Sequence, residues 1–251
     1  MNKIVLAGIW GLVGGSALII GSLVGYFSKI SQRVVAAVMA FGSGVLISAL
    51  SFNLMEEAFK AGGFFSTAAG FIIGSVLFTL ANILIEKNGG KHRKRSGTQQ
   101  QSEAENSGSG LAIAIGSLLD GIPESIVIGT SLISSRVVSI VAVVAIFLSN
   151  IPEGLSSSAG MKKAGRSASY IFTVWSVIAV ICGIASLAGY AVFSNFSSGV
   201  IAATTAVAAG AILTMLADTM IPEAFEFAHR YAGLITVFGF LTAYIINKLS
   251  L

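Results

Sequence analysis

Long apolar runs separated by short polar connections fill most of the 251-residue chain. A helix needs about 20 mostly apolar residues to cross the hydrocarbon core of a membrane, and these runs lack the strict alternation of β-barrel strands. The pattern therefore predicts an all-α integral membrane fold with eight transmembrane helices. We expect the first run to be a retained helix, because it is too long for the apolar region of a signal peptide. The predicted spans cover residues 4–27, 34–59, 64–85, 110–133, 137–161, 170–193, 200–227 and 231–246.

Composition narrows the class of protein further. Hydrophobic residues make up 55% of the chain and charged residues 10%, whereas a typical soluble domain has about 25% charged residues. This balance excludes a disordered or nucleic-acid-binding protein. The single cysteine excludes an intramolecular disulfide and a thiolate-rich zinc site. The chain has no motif for nucleotide binding or for a zinc protease, so we expect neither an enzyme nor a cofactor.

Lys and Arg are distributed unevenly among the connections. Eleven lie in the odd-numbered connections, and only Lys3, Lys60, Arg136 and Lys248 lie in the even-numbered connections or at the termini. Cytoplasmic loops carry the excess of Lys and Arg in membrane proteins, so both termini are expected to face outside. The expected location is the plasma (inner) membrane of a bacterium.

Only the connection at residues 87–109 is long. It begins with the basic sequence KHRKR and continues with Gln, Ser, Gly and Glu, a composition typical of segments that do not fold alone. We interpret it as a flexible basic cytoplasmic loop whose cations fix the topology. The alternatives are lipid-headgroup binding or metal capture by His92, and a regulatory role stays open. The chain would then form one membrane domain. Residues 1–86 contain spans one to three, residues 87–109 form the loop, residues 110–161 contain spans four and five, and residues 162–251 contain spans six to eight.

All three prolines of the chain occur in the tripeptide Ile-Pro-Glu, at Pro123, Pro152 and Pro222, and each lies inside a predicted span. Proline in a helix removes a backbone donor and frees the carbonyl group four residues earlier. Within a membrane such a carbonyl group needs protein, water or a ligand as a partner. Because a glutamate follows each break, the repetition indicates a polar pathway through the helices.

A cluster of polar residues surrounds the first two prolines, near the middle of spans four and five: Asp120, Glu124, Ser149, Asn150 and Glu153. Asp120 and Glu124 are four residues apart and share a helix face, as do Ser149 and Glu153. An acidic side chain at this depth costs about 2.5–3.5 kcal/mol. No Lys, Arg or His lies at that depth in any span, so we expect no salt-bridge partner. Protonated carboxyl groups bonded between helices remain an alternative, but a bound cation is favoured.

The chemistry of this cluster indicates the kind of cation. Its side chains offer only oxygen, which suits Mg²⁺, Mn²⁺, Ca²⁺ and to some extent Fe²⁺, whereas zinc prefers His nitrogen or Cys sulfur. We therefore predict a divalent metal site whose ligands come from the five clustered residues.

Further polar residues lie nearer the ends of two spans. Asn53, Glu56 and Glu57 lie at the outer end of the second span and form either a metal-attracting vestibule or an ordinary solvated helix end. A second set follows the cytoplasmic half of the seventh span: Asp218, Glu223, Glu226 and His229. The last three of these are spaced three residues apart on roughly one helix face. They form either a metal exit route or an interfacial His–Glu pair near Arg230.

These motifs resemble those of the ZIP (Zrt-/Irt-like protein) family of divalent metal transporters, in its prokaryotic form. The segments Asp120-Gly-Ile-Pro-Glu124 and Ser149-Asn-Ile-Pro-Glu153-Gly are similar to the pair of H-N-x-P-E-G motifs on the family's fourth and fifth helices. The segments Asn53-Leu-Met-Glu-Glu57 and Asp218-Thr-Met-Ile-Pro-Glu223 resemble the family's second and seventh helices. The resemblance covers nearly the whole chain.

The resemblance implies a 3+2+3 arrangement, in which spans one to three and six to eight form an inverted repeat around spans four and five. It also implies alternating access, with metal moving towards the cytoplasm through the mid-membrane carboxylate site. The substrate would be a divalent metal ion, with Zn, Mn, Fe, Mg and Cd as candidates. The lipid bilayer is the other expected partner, and a homodimer is left open.

The chain departs from the family pattern at the core histidines. Asp120 and Ser149 stand at histidine positions of the two motifs, while Gly121 and Val180 stand where a second metal position would need side-chain ligands. Because of these departures we expect one metal ion, held by the three carboxylates with help from Ser149 and Asn150.

The missing histidines also keep a second interpretation open. A membrane protein that binds metal as a sensor without transporting it would carry the same carboxylates. An intramembrane hydrolase that uses Ser156 is disfavoured, because serine catalysis needs a nearby base and the sequence places no histidine close to that residue.

Overall fold

The computed structural model describes residues 2–102, 104, 105, 108–134 and 138–249, and all regular secondary structure in these residues is helical. The α-helices are α1 Lys3–Phe27, α2 Gln32–Ala49, α3 Met55–Ile85, α4 Ser109–Ser134, α5 Ile140–Lys163, α6 Ala168–Phe193, α7 Ser198–Met215, α8 Ile221–Ala228 and α9 Ala232–Leu249. Shorter turns adjoin them: π-helical turns at Leu50–Leu54, Glu86–Gly90 and Leu216–Met220, and a 3₁₀ turn at His229–Tyr231.

Six helical runs in the described residues are long and apolar enough to cross a membrane, as an integral membrane fold requires. The predicted spans 4–27, 110–133 and 170–193 are matched by α1, α4 and α6 to within two residues at each end. The span predicted at 137–161 is α5, although Arg136 and Val137 lie outside the described residues. The remaining four predicted spans differ, because they merge in pairs into runs of 59 and 52 residues.

Each merged run contains a backbone break. Gly63 has φ 71° inside α3, and His229 has φ 44° after α8. Gly63 lies 31 residues after Gln32, where α2 begins, and His229 lies 31 residues after Ser198, where α7 begins. Both α2 and α7 have 18 residues and continue into a five-residue π-helical turn. The two long runs therefore share one internal pattern.

The helices pack in two groups. In the first, α1 packs on α5 and α6, and α4 packs on α6; in the second, α3 packs on α7, and α2 packs on α8 and α9. Contacts of α2 with α5 and of α4 with α7 join the groups. Helices α4 and α5 carry the predicted carboxylates, so these side chains lie close to the junction between the two groups.

The basic connections meet at one end of the molecule. Lys162 donates a hydrogen bond to the last turn of α1 (2.6 Å), and Lys163 donates one to the Ser96 carbonyl oxygen (2.8 Å). These contacts bring the α1–α2, α3–α4 and α5–α6 connections together. At the other end, Asn247 of α9 donates to the Asn53 side chain in the first π-helical turn.

Helix α2 approaches α9 so closely that Gly44→Ala is expected to destabilise the protein. A Cβ atom at Gly44 would overlap the Thr236 carbonyl oxygen of α9, and overpacking of this kind costs about 1–3 kcal/mol. The matched control is Gly199→Ala, because a Cβ atom at Gly199 meets no atom within 4 Å. Thermal unfolding of the detergent-solubilised protein should show a lower midpoint for Gly44→Ala alone. Equal midpoints for the two variants would contradict the packing described here.

Candidate cation site

Asp120 lies on α4 and is paired with an arginine from the α3–α4 connection. The Arg93 guanidinium group binds both carboxylate oxygens, with Nε 3.0 Å from Oδ2 and Nη2 3.0 Å from Oδ1. Its Nη1 donates to the Asn82 side-chain oxygen of α3 at 2.8 Å. Asp120 and Arg93 are each 1% exposed, so this two-pronged ion pair lies in the interior.

Glu153 lies on α5 and is paired with the next residue of the same connection. The Lys94 ammonium nitrogen lies 3.0 Å from Glu153 Oε2 and 3.4 Å from Asp120 Oδ2. Lys94 therefore bridges the carboxylates of α4 and α5. The prediction that these acids have no salt-bridge partner is wrong, because the partners come from a connection that folds back against the helices and not from the spans themselves.

Glu124 lies one helical turn after Asp120 and differs from the other two acids. Its side chain is buried, and neither carboxylate oxygen has a hydrogen-bond partner among the described residues. Its charge interacts with those of Glu153, Lys94 and Asp120, so it belongs to the same cluster. Nearly all buried polar groups in folded proteins are hydrogen-bonded. Glu124 is therefore the acid of the cluster whose missing partner needs an explanation.

Ser149 and Asn150 are buried on α5, about one helical turn before Glu153, and make other contacts. Ser149 Oγ donates to the Ile146 carbonyl oxygen of its own helix at 2.9 Å, and Asn150 Nδ2 donates to the Gly14 carbonyl oxygen of α1 at 3.1 Å. Both side chains keep an oxygen as a potential ligand. In the state described, however, no three His, Cys, Asp and Glu side chains of the described ranges are arranged to hold a metal ion.

Two of the predicted exit-route residues form a second acidic pair. Arg95 makes ion pairs with both Glu223, at 3.1 Å, and Glu226. The Ser96 backbone N–H and hydroxyl group each donate to Glu223 Oε1 at 2.9 Å, and Gln99 donates to Glu226 at 2.6 Å. The α3–α4 connection therefore covers these acids as well.

The other two predicted exit-route residues, Asp218 and His229, are exposed, and His229 lies in the 3₁₀ turn after α8. Asp218 lines a cavity of about 80 Å³ together with five residues of the α3–α4 connection, His92 among them. Burial, together with the positive charges of Arg95 and Lys91, lowers the pKa of His92. This shift favours the neutral form of its imidazole group.

Asn53, Glu56 and Glu57 lie at the opposite end. Asn53 is buried, Glu56 is exposed and pairs with Lys60 at 2.6 Å, and Glu57 is partly buried. Beside Asn53, apolar side chains of α2, α4, α5 and α7 line a void of about 10 Å³. This is about the smallest volume that holds one water molecule.

The sequence-based prediction missed Arg93, Lys94 and Arg95 as site residues. The sequence did contain one indication of their role. Three consecutive cations lie in the α3–α4 connection, and the acids of the predicted spans have no cationic partner within those spans. Sequence spacing does not show which cation meets which acid, because the contacts join residues 26 to 131 positions apart.

No protein-family model matches the chain, and no curated protein is significantly similar to it. Its function is therefore inferred from the residues and geometry of the site.

Proposed function

We propose that the protein is a divalent metal cation transporter of the ZIP type, which moves metal across the membrane through the carboxylates of α4 and α5. The observation that carries the proposal is Glu124, a buried carboxylate without a hydrogen-bond partner among the described residues. It lies beside Asp120 and Glu153, which are both bound to cations. Burial of a polar group away from water costs free energy unless the group has a hydrogen-bonding or charged partner. A metal ion would be such a partner for all three acids.

The ligand chemistry supports a divalent metal as the transported substrate. Asp120, Glu124 and Glu153 offer carboxylate oxygens. Ser149 and Asn150 are buried on α5, a few residues before Glu153 in the sequence. Such a set suits Mn²⁺, Mg²⁺ and Fe²⁺ best, with Zn²⁺ and Cd²⁺ as weaker candidates. One metal ion is proposed, since Gly121 offers no side-chain ligand for a second.

The fold supports a 3+2+3 arrangement of eight crossings. A run of 59 or 52 residues is more than twice the length that one crossing needs, and the breaks at Gly63 and His229 divide each run into two. The shared pattern of the two runs, with their second halves ending at opposite ends of the molecule, is what an inverted repeat produces. Two packed groups of helices that meet at α4 and α5 suit alternating access.

The distribution of charge supports the orientation. We assign the basic connections at one end to the cytoplasm because of their excess of Lys and Arg. Both termini would then face outside in a bacterial inner membrane. Metal would then enter near Asn53 and leave past Glu223 and Glu226. No enzymatic activity and no cofactor are proposed.

A second candidate function is a membrane protein that binds metal without transporting it. The cations that occupy Asp120 and Glu153 favour this alternative, because a site that is filled by the chain's own side chains does not conduct in that state.

Uptake into proteoliposomes separates the two candidates. We expect the purified protein to move Mn²⁺ or Fe²⁺ down an imposed gradient, with Zn²⁺, Cd²⁺ and Mg²⁺ as competitors tested at equal concentration. Equilibrium binding of the same ions to the detergent-solubilised protein is measured in parallel. Binding without uptake would support the non-transporting alternative, and a folded protein that neither binds nor moves any of the five ions would refute both.

A further inference from the structure

Residues 91–96, called here the basic plug, lie where the proposed site would hold its metal. We propose that the basic plug is a tethered competitor of the transported cation, docked when metal is absent and displaced when a divalent ion binds the carboxylates. The inference rests on the proposed function and describes how the same site is regulated.

The position of Lys94 is the first argument. Its ammonium nitrogen lies within 3.4 Å of carboxylate oxygens on both α4 and α5, and its side chain is only 3% exposed. A divalent ion that bridges Asp120 and Glu153 needs the same place. Arg93 meanwhile engages both oxygens of Asp120, so metal and plug cannot use this carboxylate together.

The balance of charge is the second argument. Three carboxylates face the two plug cations Arg93 and Lys94, which leaves a formal charge of −1 and Glu124 without a cation of its own. Exchange of these two single charges for one divalent ion leaves the same formal charge. The exchange therefore requires no additional ion to enter or leave the buried site.

The contacts that hold the plug are the third argument. Residues 91–102 read KHRKRSGTQQQS and contain no large apolar side chain, so polar contacts alone hold the segment. Buried ion pairs of this kind offset a large desolvation penalty and contribute little net stability. A competing cation can thus displace the segment without breaking a hydrophobic core.

The plug also closes the basic end of the molecule. Arg95 and Ser96 cover Glu223, and the Ser156 hydroxyl group of α5 donates to the Lys94 carbonyl oxygen. Gln100 further ties the segment to the Ser157 carbonyl oxygen at 3.1 Å. As long as the plug is docked, a metal ion cannot pass the exit-route acids, and undocking frees site and route together.

Amide hydrogen exchange of the full-length protein tests the displacement directly. The Ser96 N–H is bonded to Glu223 in the docked state, so exchange in residues 92–97 should be slow without metal. Saturating Mn²⁺, and in a separate series Zn²⁺, should speed it at least severalfold, whereas NaCl of equal ionic strength should not. Glu124→Gln removes a proposed metal ligand but no contact of the plug. Addition of metal to this variant should therefore leave amide exchange in residues 92–97 slow.

Uptake by Lys94→Gln gives the second readout. If the plug is docked in about nine of ten molecules, its loss lowers the half-saturating Mn²⁺ concentration about tenfold, because only undocked protein binds metal. Lys87→Gln, which removes an exposed cation of the same connection, should behave like the unmodified protein.

The outcomes separate the two proposals. The plug proposal is refuted if the protein takes up metal but amide exchange in residues 92–97 does not change and Lys94→Gln keeps the same half-saturating concentration. The transporter proposal would still hold in that case. Absence of both metal binding and uptake would overturn the proposed function, and the plug with it.

Discussion

Glu124→Gln is expected to abolish metal uptake while leaving the fold intact. The substitution preserves the shape of the side chain and removes the negative charge, and it breaks no hydrogen bond with a described residue because Glu124 makes none. Loss of an outer-shell partner already lowers metal affinity by about 10–100-fold, so loss of a proposed ligand should exceed that range. Initial uptake rates in proteoliposomes, with the thermal midpoint as a check on folding, measure the effect.

The matched control for this variant is Glu105→Gln. Glu105 is an exposed carboxylate in the α3–α4 connection whose partner is Ser102, far from the α4 and α5 cluster in its contacts. Glu105→Gln should change the initial uptake rate by less than about twofold at equal protein content, because surface substitutions typically have small effects. Uptake by Glu124→Gln at the rate of this control would remove the main support for the site.

The helical part of the fold could be predicted from the sequence because a membrane allows few alternatives. Backbone groups in hydrocarbon must be satisfied internally, and a run of apolar residues achieves this only as a helix. The predicted ends of α1, α4 and α6 are accordingly close to those observed. The breaks at Gly63 and His229 were predicted as connections, but the helical turns on both sides continue almost up to them.

The candidate site could be predicted only in part. Burial of Asp120, Glu124 or Glu153 in a membrane costs free energy, so their predicted depth alone made them candidate site residues. Arg93 and Lys94 carried no such signal, because a cation in a polar connection is the ordinary case. Only the three-dimensional path of the connection brings these cations against the acids.

Asp120→Asn is expected to destabilise the docked connection strongly, through Arg93. The asparagine keeps the size of the side chain but leaves a buried guanidinium group without its ion-pair partner, and removal of one member of a buried pair costs about 3–5 kcal/mol. Arg93→Gln should destabilise the connection less, because it leaves the Asp120 carboxylate with Lys94 as its remaining cation. Thermal midpoints and amide exchange of residues 92–97, both without metal, measure the loss.

The double variant Arg93→Gln with Asp120→Asn decides whether the two residues act as a pair. Two neutral amides of similar shape can bond to each other, so the double variant should be more stable than the sum of the single effects predicts, by about 0.5–3 kcal/mol. Lys87→Gln combined with Asp120→Asn serves as the unpaired control and should show additive effects, since Lys87 is exposed. If both double variants are additive, then Arg93 does not stabilise Asp120, and the docked position of the connection must depend on other contacts, such as those of Arg95 with Glu223.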